Sequence, residues 1–234
     1  MCSFFYFYFF MEQALIKYLE SFITEHRRVL FRKVLEKRTR YLTVVLEDLY
    51  QSHNASAVLR SCDCFGIQDV HIIENRNRYA VNPDIALGSS KWLNLIRYND
   101  TEENTRMAAE ALRSQGYRIV VTVPGEDAVP LEHFDLEAGK AALFFGTELT
   151  GLSDTAVALA DEKLVIPMYG FTESFNISVS AGIIFSHLIP KLHKSKGWQL
   201  THEEKEMIYL DWLKTSIKSS DQIIKNWKKQ HKGS

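Results

Sequence analysis

The sequence predicts an α/β fold, a parallel sheet flanked by helices, with helical extensions at both ends. Three observations predict it. Short apolar runs alternate with segments of helical periodicity through the middle of the chain, the pattern of strands joined by helical crossovers. Several runs, "AALFF" among them, are apolar at successive positions, so both faces of the sheet are covered. The 234 residues, 46% hydrophobic and 24% charged, are enough for one domain with decorations or two small ones.

Residues 12–38 read as one helix with Leu15, Leu19, Phe22 and Ile23 on a face, followed by Leu30, Val34 and Leu35. Its second half is basic. A strand at "YLTVVLE", a helix over about 54–65 that Asn54 would cap, and a strand at "DVHII" come next. A looser stretch with Pro83 and "GSSKW" leads to a short strand at 95–98 and a helix from about 101 to 116. Strands follow at "RIVVTV" and, after a polar loop through Pro130, at "AALFF". Ser153 is a natural N-cap for a short helix, and "KLVIPM" and "VSAGIIFSHLI" supply the last strand and an apolar helix. Thr201 with Glu204, and Ser219 with Gln222, have capping-box spacing and announce two more helices. The chain therefore divides into a basic helical extension over 1–40, a central domain over 41–195 and a basic helical extension over 196–234.

A net charge of −1 excludes a uniformly basic nucleic-acid binder but says nothing of local patches. Cys2, Cys62 and Cys64 have neither zinc-finger nor C-x-x-C spacing and are expected to be reduced thiols. The opening "MCSFFYFYFF" lacks a basic segment and a cleavage site and is too short to span a bilayer, so Met11 is the expected natural start. With no export route and no membrane anchor, the expected location is the cytoplasm, and Asn176-Ile177-Ser178 is not a glycosylation site. There is no G-x-G-x-x-G after the first strand, no P-loop, no H-E-x-x-H and no nucleophile elbow, and the eight histidines form no metal-ligand spacing. No metal is expected.

Three segments put polar residues at the carboxyl ends of strands, where open α/β sheets bind ligands. The first is "SHNASAVLRSCDCFG", in which Asn54 and Arg60 are, on spacing alone, a helix cap and an exposed arginine. In "FFGTELTGLSD", Gly146 and Gly151 bracket Glu148 directly after a buried strand, and glycine there permits close backbone approach. The third, "GFTESFNISVSAG", carries Glu173, Ser174, Asn176, Ser178 and Ser180 in a connection that would ordinarily be short and bland.

Taken together and in order, these segments resemble the three motifs of the SPOUT superfamily of RNA methyltransferases, and within it the TrmH-like ribose 2′-O-methyltransferases. The resemblance spans about 41–190 and extends to "GSSKW". It implies a domain whose C-terminal part threads a trefoil knot, a homodimer with the active site at the interface, and S-adenosylmethionine (AdoMet) as cofactor. Matched motif by motif, the cofactor loops are Thr122, Gly146, Glu148 and Gly151, Ile166 and Met168, and Phe175 with Asn176. Phe175 stands where the family commonly has leucine. Arg60 matches the residue that activates the ribose hydroxyl, reaching to the partner's cofactor, and Asn54, Glu148, Ser174 and Asn176 match the catalytic polar set around it.

A guanidinium stays protonated with a pKa above ~12, so Arg60 is expected to orient phosphate and stabilise the developing alkoxide; action as a base is the competing version. The flanks, with Arg27, Arg28, Arg32, Lys33, Arg38 and Arg40 on one side and Lys225, Lys228 and Lys229 on the other, are expected to clamp RNA. They favour family members acting on guanosine 18 in the tRNA D-loop. Ribosomal RNA, another tRNA site and a catalytically silent knotted RNA-binding module stay open.

Overall fold

The structure, a computed structural model, describes residues 12–49, 51–77, 88–125 and 127–231. The aromatic start and Pro83 lie outside these residues. The chain forms two compact units, Arg38–Gln199 and the flanking segments up to Lys37 and from Leu200.

In the larger unit, strand β1 (Leu42–Glu47) leads to helix α3 (Ser52–Phe65), β2 (Asp69–Ile73), β3 (Asn94–Tyr98) and α4 (Asn104–Ser114). Then come β4 (Arg118–Thr122), β5 (Val129–Pro130), β6 (Ala141–Phe145), α5 (Asp154–Ala158), β7 (Glu162–Val165) and α6 (Ile177–Leu192). All strand pairings are parallel, in the order β3-β2-β1-β6-β4-β7-β5. β1 shows why both faces are covered. Leu42, Val44 and Leu46 enter one core, with Val58, Leu59, Ile184 and Phe185 of α3 and α6. Val45 enters the other, with Ala108, Ala109 and Leu112 of α4. Neighbouring residues thus face opposite layers, as the pleat requires.

The strand order reverses around β1 and β6, because β2 and β3 extend one way from β1 while β6 and β4 extend the other. Such a reversal opens a crevice at the carboxyl ends. Asn54 follows β1, Glu148 follows β6, and Asn176 follows β7.

Several boundaries differ from expectation. α3 starts at Ser52 after Gln51, with no side-chain cap, so Asn54 lies within its first turn. α4 starts at Asn104, because Thr101 is held outside by bonds from its N and Oγ1 to Asn104 Oδ1. α6 starts two residues earlier than its apolar pattern suggests, because Asn176 caps it. β5 was expected as loop; Pro130 suits an edge strand, where no ladder donor is needed.

In the smaller unit, residues 12–20 form helix α1 and Glu25–Leu35 forms α2. The single helix expected over 12–38 is broken because Thr24 takes extended backbone and accepts a bond from Arg27 N at 3.3 Å, starting a new helix. Helices α7 (His202–Ser216) and α8 (Ser220–Gln230) follow. Thr201 and Glu204 form the expected capping box. The second box does not form, since Ser219 is left-handed at φ 59° and its side chain makes no cap bond. Aromatic contacts lock the unit, with Phe31 edge-on to Trp212 at 5.5 Å and Tyr18 tilted against Trp227 at 6.3 Å. Among the described residues no helix is long and apolar enough to cross a membrane.

Candidate active site

The site is assembled by a helix cap. Asn176 Oδ1 accepts bonds from Ser178 N at 2.9 Å and Ser178 Oγ at 2.6 Å. With its oxygen committed to α6, the amide nitrogen faces outward, donating to Asn54 Oδ1 at 3.1 Å and Glu148 Oε1 at 3.2 Å. That in turn fixes Asn54. Its oxygen is taken by Asn176, so its nitrogen donates to Glu148 Oε1 and to Gln51 Oε1, the latter at 3.1 Å. Three residues from three segments therefore share one hydrogen-bonded cluster in which every amide has a defined orientation.

Glu148 is presented by a tight turn. Thr147 and Gly151 exchange backbone bonds of 3.1 and 3.0 Å, and Gly151 has φ +69°, a left-handed conformation. A Cβ on Gly146 would stand 2.2 Å from the Gly151 carbonyl carbon, so no side chain fits there.

Beside this turn is a cavity of about 450 Å³. Thr122, Gly146, Glu148, Gly151, Ile166, Met168, Ser174 and Phe175, all expected from the sequence, line it. Asn176 touches the cluster but is not in this lining. A larger hollow of about 1020 Å³ also borders the Glu148 turn, lined by Glu47, Asp48, Gln51, Asn75 and Thr105 among others. The sequence reading did not anticipate it. An acid ending an apolar strand, as Glu47 does, was the available signal.

Arg60 stands apart. Six residues beyond Asn54, it lies roughly 240° around the helix, and it borders a separate hollow with Ala57, Cys64, Ser178 and Val179. It is exposed, and no described residue pairs with it. Within one chain the structure does not bring it to the cluster.

The basic residues divide. Arg38 is 2% exposed and bonded to the Asp63 carboxyl and, at 3.4 Å, to Ile67 O; buried so, it cannot meet RNA. Arg40 is paired with Asp69 at 2.9 Å, Arg28 with Glu25, and Arg32 with Glu206 while lying 3.7 Å over the Tyr209 ring. Burial takes Arg38 out of the expected RNA face, whereas Arg28 and Arg32 stay partly exposed beside their acid partners. Arg27, Lys33, Lys225, Lys228 and Lys229 are exposed. Cys62 is a buried free thiol whose pKa burial pushes up, and Cys64 is an exposed one.

Fold and site together define a class: a parallel α/β protein with a small-molecule-sized cavity among glycine-turned loops at the carboxyl ends of its strands. Residues 41–186 match the SpoU rRNA Methylase family, and the chain belongs to that family. It is 44% identical over 209 residues to a tRNA (guanosine(18)-2′-O)-methyltransferase of Borreliella burgdorferi, covering 89% of this chain and 93% of that one. It resembles the solved A. aeolicus TrmH/SpoU tRNA modifying enzyme at a TM-score of 0.73 and 30% identity, over 83% of this chain and 98% of that one. The SpoU methyltransferase AviRb of Streptomyces viridochromogenes, solved in complex with AdoMet, shares the fold at a TM-score of 0.58 and 23% identity, over 70% and 65% of the two chains.

Proposed function

We propose that this protein transfers a methyl group from AdoMet to a ribose 2′-hydroxyl of tRNA, that of guanosine 18 in the D-loop, in the cytoplasm. The observation that carries the reading is the meeting of Asn54, Glu148 and Asn176 in one cluster beside a cavity lined by the three matched loops. The nucleotide assignment follows the name of the Borreliella relative.

The cavity suits AdoMet. Its volume of about 450 Å³ is within the range of small-molecule sites. Ile166, Met168 and Phe175 offer an apolar wall for a base, and Ser174 and the backbone of the glycine turn offer polar groups. When bound, AdoMet would supply a methyl carbon that an oxygen nucleophile can attack in line with the C–S bond, the sulfonium sulfur leaving as a neutral thioether. The residues of this chain then have to position and charge-stabilise. Asn54 and Asn176 hold one oxygen of Glu148, leaving the other to accept a bond from the ribose or base.

Arg60 acts from the partner copy in a homodimer. Its separation from the cluster of its own chain supports this, as does the half-exposed Val179 on α6 beside it. There it orients an RNA phosphate and stabilises the developing alkoxide as a permanent cation. The trefoil knot expected of the family is supported by α6, which leaves β7 on one side of the sheet yet packs against α3, the helix following β1.

The test is to incubate the protein with labelled AdoMet and bulk tRNA and to map the methylated nucleotide. Label at guanosine 18 is expected; label elsewhere, or in ribosomal RNA only, would reassign the substrate, and none at all would leave a binding module. For the shared site, Arg60→Ala and Asn176→Ala chains, each inactive alone, should regain about a quarter of parental activity when mixed and reassembled, since half the dimers then carry one intact site. No recovery would put Arg60 on its own chain's cofactor.

A further inference from the structure

β1 ends on an acid that the sheet buries. Glu47 is 2% exposed, although the strand before it is apolar apart from Thr43, and a carboxyl in such a place is costly unless its oxygens are bonded. They are. Oε1 accepts from Thr105 Oγ1 at 2.5 Å and from Ser153 Oγ at 2.8 Å, and Oε2 accepts from Ser153 N at 2.8 Å. Because the Ser153 hydroxyl gives its proton to Glu47, its oxygen is left to accept Ala156 N at 3.1 Å and cap α5.

Resting on the reading of Glu148 as an active-site residue, we infer that Glu47 is a positioning residue, the anchor that fixes the turn carrying Glu148. The turn from Gly146 to Ser153 has two fixed ends. At the first, Gly146 packs against the Gly151 backbone and Thr147 pairs with Gly151. At the second, both main-chain and side-chain groups of Ser153 are held by Glu47. Glu148 lies between them, and its partners among the described residues are the two amides of Asn54 and Asn176, so its place depends on where the turn is held. Glu47 is itself held from α4 by Thr105, which also accepts from Asn75 Nδ2 at 3.0 Å. Glu47 makes no bond to Glu148, Asn54 or Asn176. It acts on the cluster through Ser153.

A double-mutant cycle in the full-length chain tests this, reading single-turnover methylation at saturating AdoMet and tRNA, well below each variant's unfolding midpoint. Glu47→Ala should slow methyl transfer about tenfold or more, a cost in keeping with slight misplacement of an active-site group. Glu47→Gln, which retains an oxygen for Ser153 N, should recover most of the rate. Adding Glu47→Ala to Glu148→Gln should change the rate by less than about twofold, because the group being positioned is already lost. Parental rate in Glu47→Ala, or the same fold-loss with and without Glu148, overturns the inference. Parental rate in Glu148→Gln instead removes the reading of the site beneath it, and so the two failures are distinct. If Glu47→Ala does not fold, Ser153→Ala takes its place in the cycle, with the same coupling expected and the same absence of coupling fatal.

Discussion

Gly146 is the residue on which the geometry of the site turns. Added at this position, a methyl group meets the Gly151–Leu152 peptide: the Gly151 carbon at 2.2 Å, its oxygen at 2.3 Å and Leu152 N at 2.4 Å. No side-chain rotation relieves contacts with main chain, so Gly146→Ala has to open the turn. Overpacking of this kind costs typically 1–3 kcal/mol, and the opened turn forms a wall of the proposed AdoMet cavity. AdoMet affinity, measured by calorimetry without RNA, should fall about tenfold or more; unchanged affinity would mean that the cofactor does not depend on this turn. The glycine bracket around Glu148 was legible in the sequence because the constraint is local. Asn54 was half legible. Its residue type marked it, but its amide bonds Glu148, 94 residues away, and does not cap its own helix. Glu47 was legible only as an acid ending an apolar strand, because nothing within β1 announces a partner 106 residues further on.

Elements were legible where their periodicity was strong and misread where a single polar side chain set the boundary. Thr24 splits the N-terminal helix and Asn176 starts α6, both by side-chain bonds that hydrophobic pattern does not encode. The neighbouring strands β2 and β3 hold another such pair. His71 is 4% exposed, stacked with Tyr98 at 5.8 Å, and shares a 3.1 Å bond between Nδ1 and the Tyr98 hydroxyl. Burial pushes its pKa down to about 4 from an ordinary 6.5. The sign follows from linkage. Between those values the unfolded chain binds the proton and the folded chain does not, so stability is full above about 6.5 and declines as pH falls toward 4. The whole loss is on the order of 3 kcal/mol. Urea midpoints at pH 7 and at pH 4.5 should differ less in His71→Gln than in the parent; an equal difference would show that His71 does not titrate across the transition.

For the molecule as a whole, what remains is how a chain of net charge −1 would hold a polyanion. The smaller unit spends much of its basic charge internally, on Arg28 with Glu25, Arg32 with Glu206, Lys205 with Glu36 and Lys214 with Asp211. Lys225, Lys228 and Lys229 have no acid partner among the described residues. Their spacing of three and four puts them on one face of α8, while Trp227 between them is buried and anchors the helix. We propose that this face makes the phosphate contacts of the C-terminal flank, with Arg27 and Lys33 the equivalent cations of α2. Each phosphate contact contributes roughly 0.7–0.9 to the slope of log affinity against log salt. Replacing Lys225, Lys228 and Lys229 with glutamine should weaken tRNA binding and flatten that slope by roughly 2–3. AdoMet affinity without RNA should stay at the parental value, since none of the three lines the cofactor cavity. Weaker binding with an unchanged slope would mean that the lysines support the fold of α8 and that the RNA is held elsewhere.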